Sequence, residues 1–175
     1  MDTTMNEKTI IQSQLQQYDF SGKVALVTGS SGAALGAQIA ILFAQNGAQL
    51  TITGRNVDRL QLVANEIEKL SPTSHRPLQL IGDLEDRTFV PTLVNETIRK
   101  YGRLDILINN AGFWSPDCRV DNVEMLDLFD KLINVNLRAP LQLVHAAAPY
   151  LEKVKGNVVN ISSMASLRPV SLLTT

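Results

Sequence analysis

Apolar runs of strand length alternate along this chain with longer segments in which apolar residues recur at helical spacing. This alternation is typical of successive βα units, which build a parallel sheet. The runs are nearly continuous, as in Val24-Ala25-Leu26-Val27, which indicates strands buried on both faces. The pattern predicts an α/β fold: a doubly wound parallel sheet with helices on both faces and strands at residues 23–28, 49–53, 78–81, 106–109 and 157–162.

The segments between these runs predict four helices, at residues 35–46, 57–70, 89–101 and 126–152. Gly47 is placed to end the first helix, because glycine tolerates the left-handed conformation of a C-terminal cap. Asn56 is placed to cap the N-terminus of the second.

The beginning of the chain is polar, and no repeat or linker divides the rest. We therefore expect a polar tail at residues 1–19 and a single domain over residues 20–175. Residues 10–17 fit either a short amphipathic helix or a disordered tail.

Composition narrows the functional classes. The chain has 45% hydrophobic residues and a formal net charge of -1, with charges of both signs interspersed, which argues against nucleic acid binding. No apolar run is long enough to span a bilayer, and no secretory or mitochondrial leader is evident. The lone Cys118 cannot form an internal disulfide. We expect a cytoplasmic protein without a metal site.

A glycine-rich turn follows the first predicted strand, with the sequence Thr28-Gly29-Ser30-Ser31-Gly32-Ala33-Ala34-Leu35-Gly36. Glycines in a strand-to-helix turn let backbone N–H groups approach a pyrophosphate, which the helix N-terminus also attracts. The turn alone is a weak signal, and a merely tight βα loop remains open. A P-loop is excluded because no Gly-Lys-Ser/Thr follows. The candidate phosphate-binding residues are Thr28, Gly29, Ser30, Ser31, Gly32, Leu35 and Gly36.

Residues after the second strand indicate which dinucleotide is preferred. A carboxylate there accepts a hydrogen bond from the ribose 2′-hydroxyl of NAD, whereas a 2′-phosphate prefers arginine. Gly54 supplies no carboxylate, Arg55 supplies a fork of donors and Asn56 adds another polar group. We therefore predict NADP(H) over NAD(H), with a solvated surface role for Arg55 as the alternative.

Four motifs together resemble the short-chain dehydrogenase/reductase family and cover the chain from residue 20 onward. They are Thr28-Gly29, Asn109-Asn110-Ala111-Gly112, Asn134-Val135-Asn136-Leu137 and Asn160-Ile161-Ser162-Ser163, in the family's order and separation. The resemblance implies a Rossmann-like fold and hydride transfer between a nicotinamide and a carbonyl or secondary alcohol. One departure is the spacing of Gly29, Gly32 and Gly36, which makes the turn one residue longer and puts Ala34 where the family usually has a glycine.

The resemblance also assigns roles to single residues. It implies that the acid of the Asp83-Leu84 pair contacts the adenine amino group and that Asp105 supports the adenine pocket, with a helix-capping or exposed carboxylate as the alternative for each. By the same match, the Asn110-Ala111-Gly112 loop passes close to the nicotinamide ribose. Ser163 matches the serine that binds the substrate oxygen, and Asn136 matches the asparagine whose backbone carbonyl holds a water of the proton relay.

The family's Tyr-x-x-x-Lys motif is absent from this sequence. Tyr150 and Lys153 have the wrong spacing and precede the serine, so we interpret Tyr150 as a helix residue packing against the sheet. The resemblance then implies a chain truncated after the fifth strand, with little or no dehydrogenase activity as given. The family continues with another long helix over the fifth strand, so one face of residues 158–161 and part of the helix at residues 126–152 should lack cover here. Pairs of such helices commonly form the family's dimer interface, which leaves a homo-oligomer open.

Two classes of function fit these observations. The first is an NADP-dependent oxidoreductase acting on a small carbonyl or alcohol. The second is a non-catalytic nucleotide-binding or interaction protein that retains the Rossmann half. A methyltransferase is disfavoured, because Arg55 stands where an acid for ribose hydroxyls is expected.

Overall fold

The computed structural model describes residues 18–32 and 35–166 and contains a five-stranded sheet in the order β3-β2-β1-β4-β5. All neighbouring strands are parallel. The predicted sheet is confirmed, and this order is that of a Rossmann-like sheet. The strands are β1 (Val24–Val27), β2 (Gln49–Gly54), β3 (Leu78–Ile81), β4 (Ile106–Asn109) and β5 (Asn157–Asn160).

Helices cover both faces of the sheet, as predicted. The first pair packs over one core, which includes Ala25, Leu50 and Ile52. The remaining helices pack over a second core, which includes Leu26 and Leu107. The helices are α1 (Leu35–Gln45), α2 (Val57–Leu70), α3 (Phe89–Tyr101), α4 (Met125–Ile133) and α5 (Ala139–Val154).

Both predicted helix caps are present. Gly47 has φ +92° after the end of α1. The Asn56 side chain accepts a 2.8 Å hydrogen bond from the N–H of Arg59 at the start of α2. The candidate helix at residues 10–17 lies outside the described residues, as does Ala34 of the glycine turn.

The prediction of one uninterrupted helix over residues 126–152 is wrong. A π-helical turn, Asn134–Arg138, separates α4 from α5, and the N–H of Ala139 donates to the carbonyl of Asn134. Pro140 follows within the first turn of α5. Because proline has no N–H, it cannot make the α-helical hydrogen bond to the carbonyl of Asn136. Single π-turns of this kind occur frequently at functional sites.

Asp105 fixes the amino-terminal edge of the sheet. Its buried carboxylate accepts hydrogen bonds from the backbone N–H of Val24 at 3.0 Å and from the guanidinium of Arg103, with Lys23 3.4 Å away. Glycine turns and ligand-binding loops of a parallel sheet lie at the opposite, carboxyl-terminal edge. The prediction that Asp105 supports the adenine pocket is therefore wrong.

Tyr101 joins the end of α3 to the edge of the sheet. Its hydroxyl donates to the carbonyl of Leu50 in β2 at 2.8 Å and accepts from the N–H of Leu78 in β3 at 3.1 Å. Burial raises the pKa of Tyr101 to about 12, so the hydroxyl stays protonated and keeps both hydrogen bonds.

Within residues 18–32 and 35–166, the fifth strand and part of α5 are exposed, as predicted. Val158 is 38% exposed and Val159 is 42% exposed, and Leu141 on α5 is 66% exposed. A 3₁₀ turn, Met164–Ser166, follows β5. Within the described residues, no helix is long and apolar enough to cross a membrane.

Replacing Tyr101 with phenylalanine should lower the free energy of unfolding by about 1–2 kcal/mol, because two backbone groups lose their partner. Urea denaturation followed by circular dichroism measures this change. Tyr18→Phe is the matched control, since Tyr18 is 60% exposed. Equal stabilities of the two variants would show that the Tyr101 hydroxyl contributes nothing.

Asp105 should make stability fall in acid. Burial raises the pKa of this carboxyl, but the hydrogen bonds from Arg103 and Val24 and the nearby charges together bring the pKa below its ordinary 3.8. The unfolded chain then binds the proton more readily, so the contribution is present above about pH 3.8 and is lost as pH falls towards the folded pKa.

Asp105→Asn should therefore lower stability at pH 7 by roughly 2 kcal/mol or more and weaken its pH dependence between about pH 5 and pH 3. Unfolding curves at a series of pH values measure both effects. Asp130→Asn, at an exposed position on α4, is the control. An unchanged pH profile in Asp105→Asn would contradict this role.

Candidate cofactor-binding and active site

The glycine turn after β1 lies at the carboxyl-terminal edge of the sheet and leads into α1. Gly29 has φ +70°, which favours glycine. A side chain at Gly29 would also meet the Cα of Ala111 at 2.8 Å, so the turn and the loop after β4 touch through their backbones. At Gly36, a Cβ would collide with the Asn110 side chain and the Gly29 carbonyl, so glycine lets α1 pack tightly on the turn.

Thr28 and Asn110 tie this turn to the β4 loop. The Thr28 hydroxyl oxygen accepts 3.0 Å hydrogen bonds from the N–H groups of Asn110 and Ala111. In return, the Asn110 side-chain amide donates to the carbonyls of Thr28 at 2.9 Å and Gly29 at 3.2 Å. Thr28 is 1% exposed, so water does not compete for these bonds.

A cleft of about 300 Å³ opens beside this tie. It brings together most of the predicted cofactor residues: Gly29, Ser31, Leu35, Arg55, Asp83, Leu84, Asn110, Ala111 and Gly112. The Ser31 hydroxyl forms no hydrogen bond among the described residues and is free to bind a ligand.

The other predicted cofactor residues lie around the cleft rather than in it. Thr28 and Gly36 are buried beneath the turn. Ser30 is fully buried, with its hydroxyl donating to the carbonyl of Val27 and its N–H to that of Thr53. Asn56 caps α2, and Gly32 lines a separate groove between α1 and α2.

Sequence reasoning missed Thr53, Gly82 and Val135, which also line the cleft. Thr53 is near the end of β2 and Gly82 directly follows β3. The strand pattern could therefore have predicted that both residues lie at the carboxyl-terminal edge of the sheet. The Thr53 hydroxyl is buried and has no hydrogen-bond partner among the described residues. Phe113, which the Asn110-Ala111-Gly112 motif precedes, forms another wall.

Arg55 and Asp83 meet at one end of the cleft. A guanidinium nitrogen of Arg55 lies 3.3 Å from a carboxylate oxygen of Asp83, and the other Asp83 oxygen accepts a hydrogen bond from the N–H of Glu85. Arg55 is 63% exposed, so this ion pair contributes little to stability. It engages one guanidinium nitrogen of Arg55, which has five N–H donors in all.

A second, larger cleft of about 720 Å³ continues from the first past the β4 loop. It brings together the two predicted catalytic residues, Ser163 after β5 and Asn136 in the π-turn. The Ser163 carbonyl accepts hydrogen bonds from the N–H and the hydroxyl of Ser166. At the floor, the Asn109 side chain donates to that of Asn160 at 2.8 Å, which joins β4 to the strand carrying the serine.

Asn136 holds the backbone between the two clefts. Its side-chain oxygen accepts from the N–H of Phe113 at 2.7 Å, and its amide donates to the carbonyl of Phe113 at 2.8 Å. A side chain that bonds both backbone groups of one residue fixes the conformation of that residue. The π-turn that carries Asn136 therefore sets the position of the loop after β4.

Two relatives of known class are similar to this chain. An 11-beta-hydroxysteroid dehydrogenase-like 4A of Arabidopsis thaliana is 37% identical over 145 residues, covering 83% of this chain and 47% of that protein. An L-fucose dehydrogenase of Bos taurus is 37% identical over 145 residues, covering 83% of this chain and 50% of that protein. The chain thus spans about half the length of these relatives.

Solved structures agree with the fold. A short chain dehydrogenase from Burkholderia cenocepacia J2315 in complex with NADP has a TM-score of 0.79 and 35% identity, covering 87% of this chain and 60% of that chain. A metagenomic short-chain oxidoreductase in complex with NADP has a TM-score of 0.74 and 34% identity, covering 86% of this chain and 66% of that chain.

The profile of the family described as short chain dehydrogenase matches residues 23–175, which include every element of the sheet and both clefts. The chain belongs to the short chain dehydrogenase family.

Proposed function

We propose that this chain forms the NADP(H)-binding half of an oxidoreductase that transfers hydride between the nicotinamide and a carbonyl or secondary alcohol. The observation that carries the proposal is the cleft at the carboxyl-terminal edge of the sheet, with Arg55 at the end of β2. The NADP complexes of two similar structures support the same cofactor.

The residues of the first cleft fit a dinucleotide phosphate. The Gly29 turn and the N-terminus of α1 favour an anion, as in other glycine turns of this kind. Within the part of the chain that the structure describes, the buried Thr53 hydroxyl lacks a partner, which a ligand group would supply. Arg55 carries the charge that a ribose 2′-phosphate requires, whereas Gly54 offers no competing carboxylate.

The second cleft fits the reacting end of such a cofactor. NADP(H), when bound, supplies or accepts the hydride. Ser163 is proposed to hydrogen-bond the substrate oxygen, and Asn136 to hold the Phe113 backbone and, through its own carbonyl, a water. Pro140 supports the second role, because it cannot donate to that carbonyl.

None of the three tyrosines in the chain lies beside Ser163. Tyr101 is bonded to β2 and β3, Tyr18 stacks near Phe20, and Tyr150 packs on the α5 side of the sheet, which confirms our interpretation of Tyr150. This placement favours our second candidate for the 175-residue polypeptide taken alone: a nucleotide-binding protein without turnover. The oxidoreductase activity is proposed for the whole protein.

Arg55→Gln should weaken NADPH binding by about 10- to 100-fold, because charge-assisted hydrogen bonds to the 2′-phosphate are lost. NADH has no such phosphate, so its affinity should change less than about twofold. Titration of the NADPH and NADH fluorescence with protein measures both dissociation constants.

Arg59→Gln is the matched control, because Arg59 lies four residues after Arg55, in the first turn of α2, and does not line the cleft. It should leave both affinities unchanged. Equal losses of NADPH and NADH affinity in Arg55→Gln would contradict a 2′-phosphate site.

The 175-residue polypeptide should bind NADPH and yet show no cofactor oxidation above the uncatalysed rate with any carbonyl substrate. A missing general acid alone costs about 10²–10⁴ in rate. Absorbance at the nicotinamide band, followed over a panel of ketones and aldehydes, tests this. Turnover that is lost in Ser163→Ala would contradict this prediction, because it would show that a group of this chain other than a tyrosine donates the proton.

A further inference from the structure

Lys131 of α4 contacts two segments that belong to different parts of the sheet. Its ammonium lies 3.1 Å from a carboxylate oxygen of Glu85, in the segment after β3. The same ammonium lies 5.0 Å from the centre of the Phe113 ring, in the loop after β4. One side chain thus connects α4, the β3 segment and the β4 loop.

Each of the two segments contributes residues to the lining of the first cleft. Glu85 directly follows Asp83 and Leu84, which line the cleft on the side of Arg55. Phe113 lines both clefts and stands where they join. Lys131 itself lines neither cleft, so it links the walls from outside.

Little else anchors α4 to the domain. None of its residues is fully buried, and Leu126 and Phe129 are 73% and 49% exposed. Elements with few buried apolar contacts open at low free energy. The contacts of Lys131 therefore anchor α4, and they add to the two Asn136 hydrogen bonds that hold the Phe113 wall.

Partial burial strengthens the contacts of Lys131. Its side chain is 31% exposed and that of Glu85 is 36% exposed, so solvent screens the pair less than a fully exposed one. A cation over an aromatic ring adds a contribution of similar size. The lysine stem can also cover apolar surface while the ammonium reaches its partners.

We propose that Lys131 is a positioning residue that latches the Phe113 wall and α4 to the β3 segment and so keeps the cofactor cleft in its binding shape. The proposal deepens the proposed function and rests on it for the cofactor. The latch itself is a property of the cofactor-free protein. It predicts effects on binding without any contact between Lys131 and the ligand.

The binding test uses Lys131→Met, which keeps the stem and removes the charge. NADPH affinity should fall by roughly 3- to 30-fold, the range expected for losing one half-buried ion pair and one cation–π contact. Lys131→Arg should restore most of it. Lys153→Met is the matched control, because Lys153 lies over the Tyr150 ring at 5.6 Å outside both clefts.

Glu85→Gln tests whether the ion pair is the coupling. Its effect and that of Lys131→Met should be non-additive in the double variant, as expected for groups in direct contact. Additive effects, or NADPH affinities of Lys131→Met and wild type within twofold of each other, would overturn the latch.

Hydrogen exchange of the cofactor-free chain separates the latch from the proposed function. In Lys131→Met, the amides of residues 113 and 125–133 should exchange at least about threefold faster than in wild type and in Lys153→Met. Unchanged exchange overturns the latch whether or not cofactor binds. If Lys131→Met exchanges faster but the wild-type protein binds neither NADPH nor NADH, the latch is sustained and the proposed function is refuted.

Discussion

The hydrogen bonds between Thr28 and the loop after β4 are the constraint on which the site depends. β1 and β4 are neighbours in the sheet, and their pairing ends with a 3.0 Å hydrogen bond from the N–H of Thr28 to the carbonyl of Ile108. Beyond that bond the two connections leave towards opposite faces, and the Thr28 side chain joins them. The buried Thr28 hydroxyl accepts hydrogen bonds from two successive N–H groups, and the Asn110 side-chain amide donates to the carbonyls of Thr28 and Gly29. The walls of both clefts are built outward from this tie.

Sequence reasoning predicted the fold well because the strands are buried on both faces. Short apolar runs such as 24–27, alternating with longer segments of helical period, are typical of βα units, and Gly47 and Asn56 mark helix ends through local chemistry. The π-turn at Asn134–Arg138 was not predicted, because apolar periodicity runs through it unchanged. Pro140 was the signal that could have predicted it, because proline has no N–H to donate to the carbonyl of Asn136 in an α-helix.

The site was predicted less completely, and the reasons are physical. Motifs identified the residues that approach the cleft but not the direction of their side chains, so Ser30, whose hydroxyl turns back to Val27, was grouped with Ser31. Asp105 was assigned to the adenine pocket by resemblance, although its place before β4 puts it at the other edge. Contacts between distant segments, such as that of Lys131 with Glu85, leave no local pattern to recognise.

The Asp105 cluster and the cofactor cleft occupy opposite edges of one sheet. β4 has four residues, so roughly 13 Å of strand separates them. The partners of the Asp105 carboxylate and the residues that line the cleft are different, and substitutions that far apart with no shared partner usually have additive effects on stability. Tolerance to acid at Asp105 and the proposed choice of dinucleotide at Arg55 are therefore two traits of this domain that selection, or an engineer, can alter one at a time.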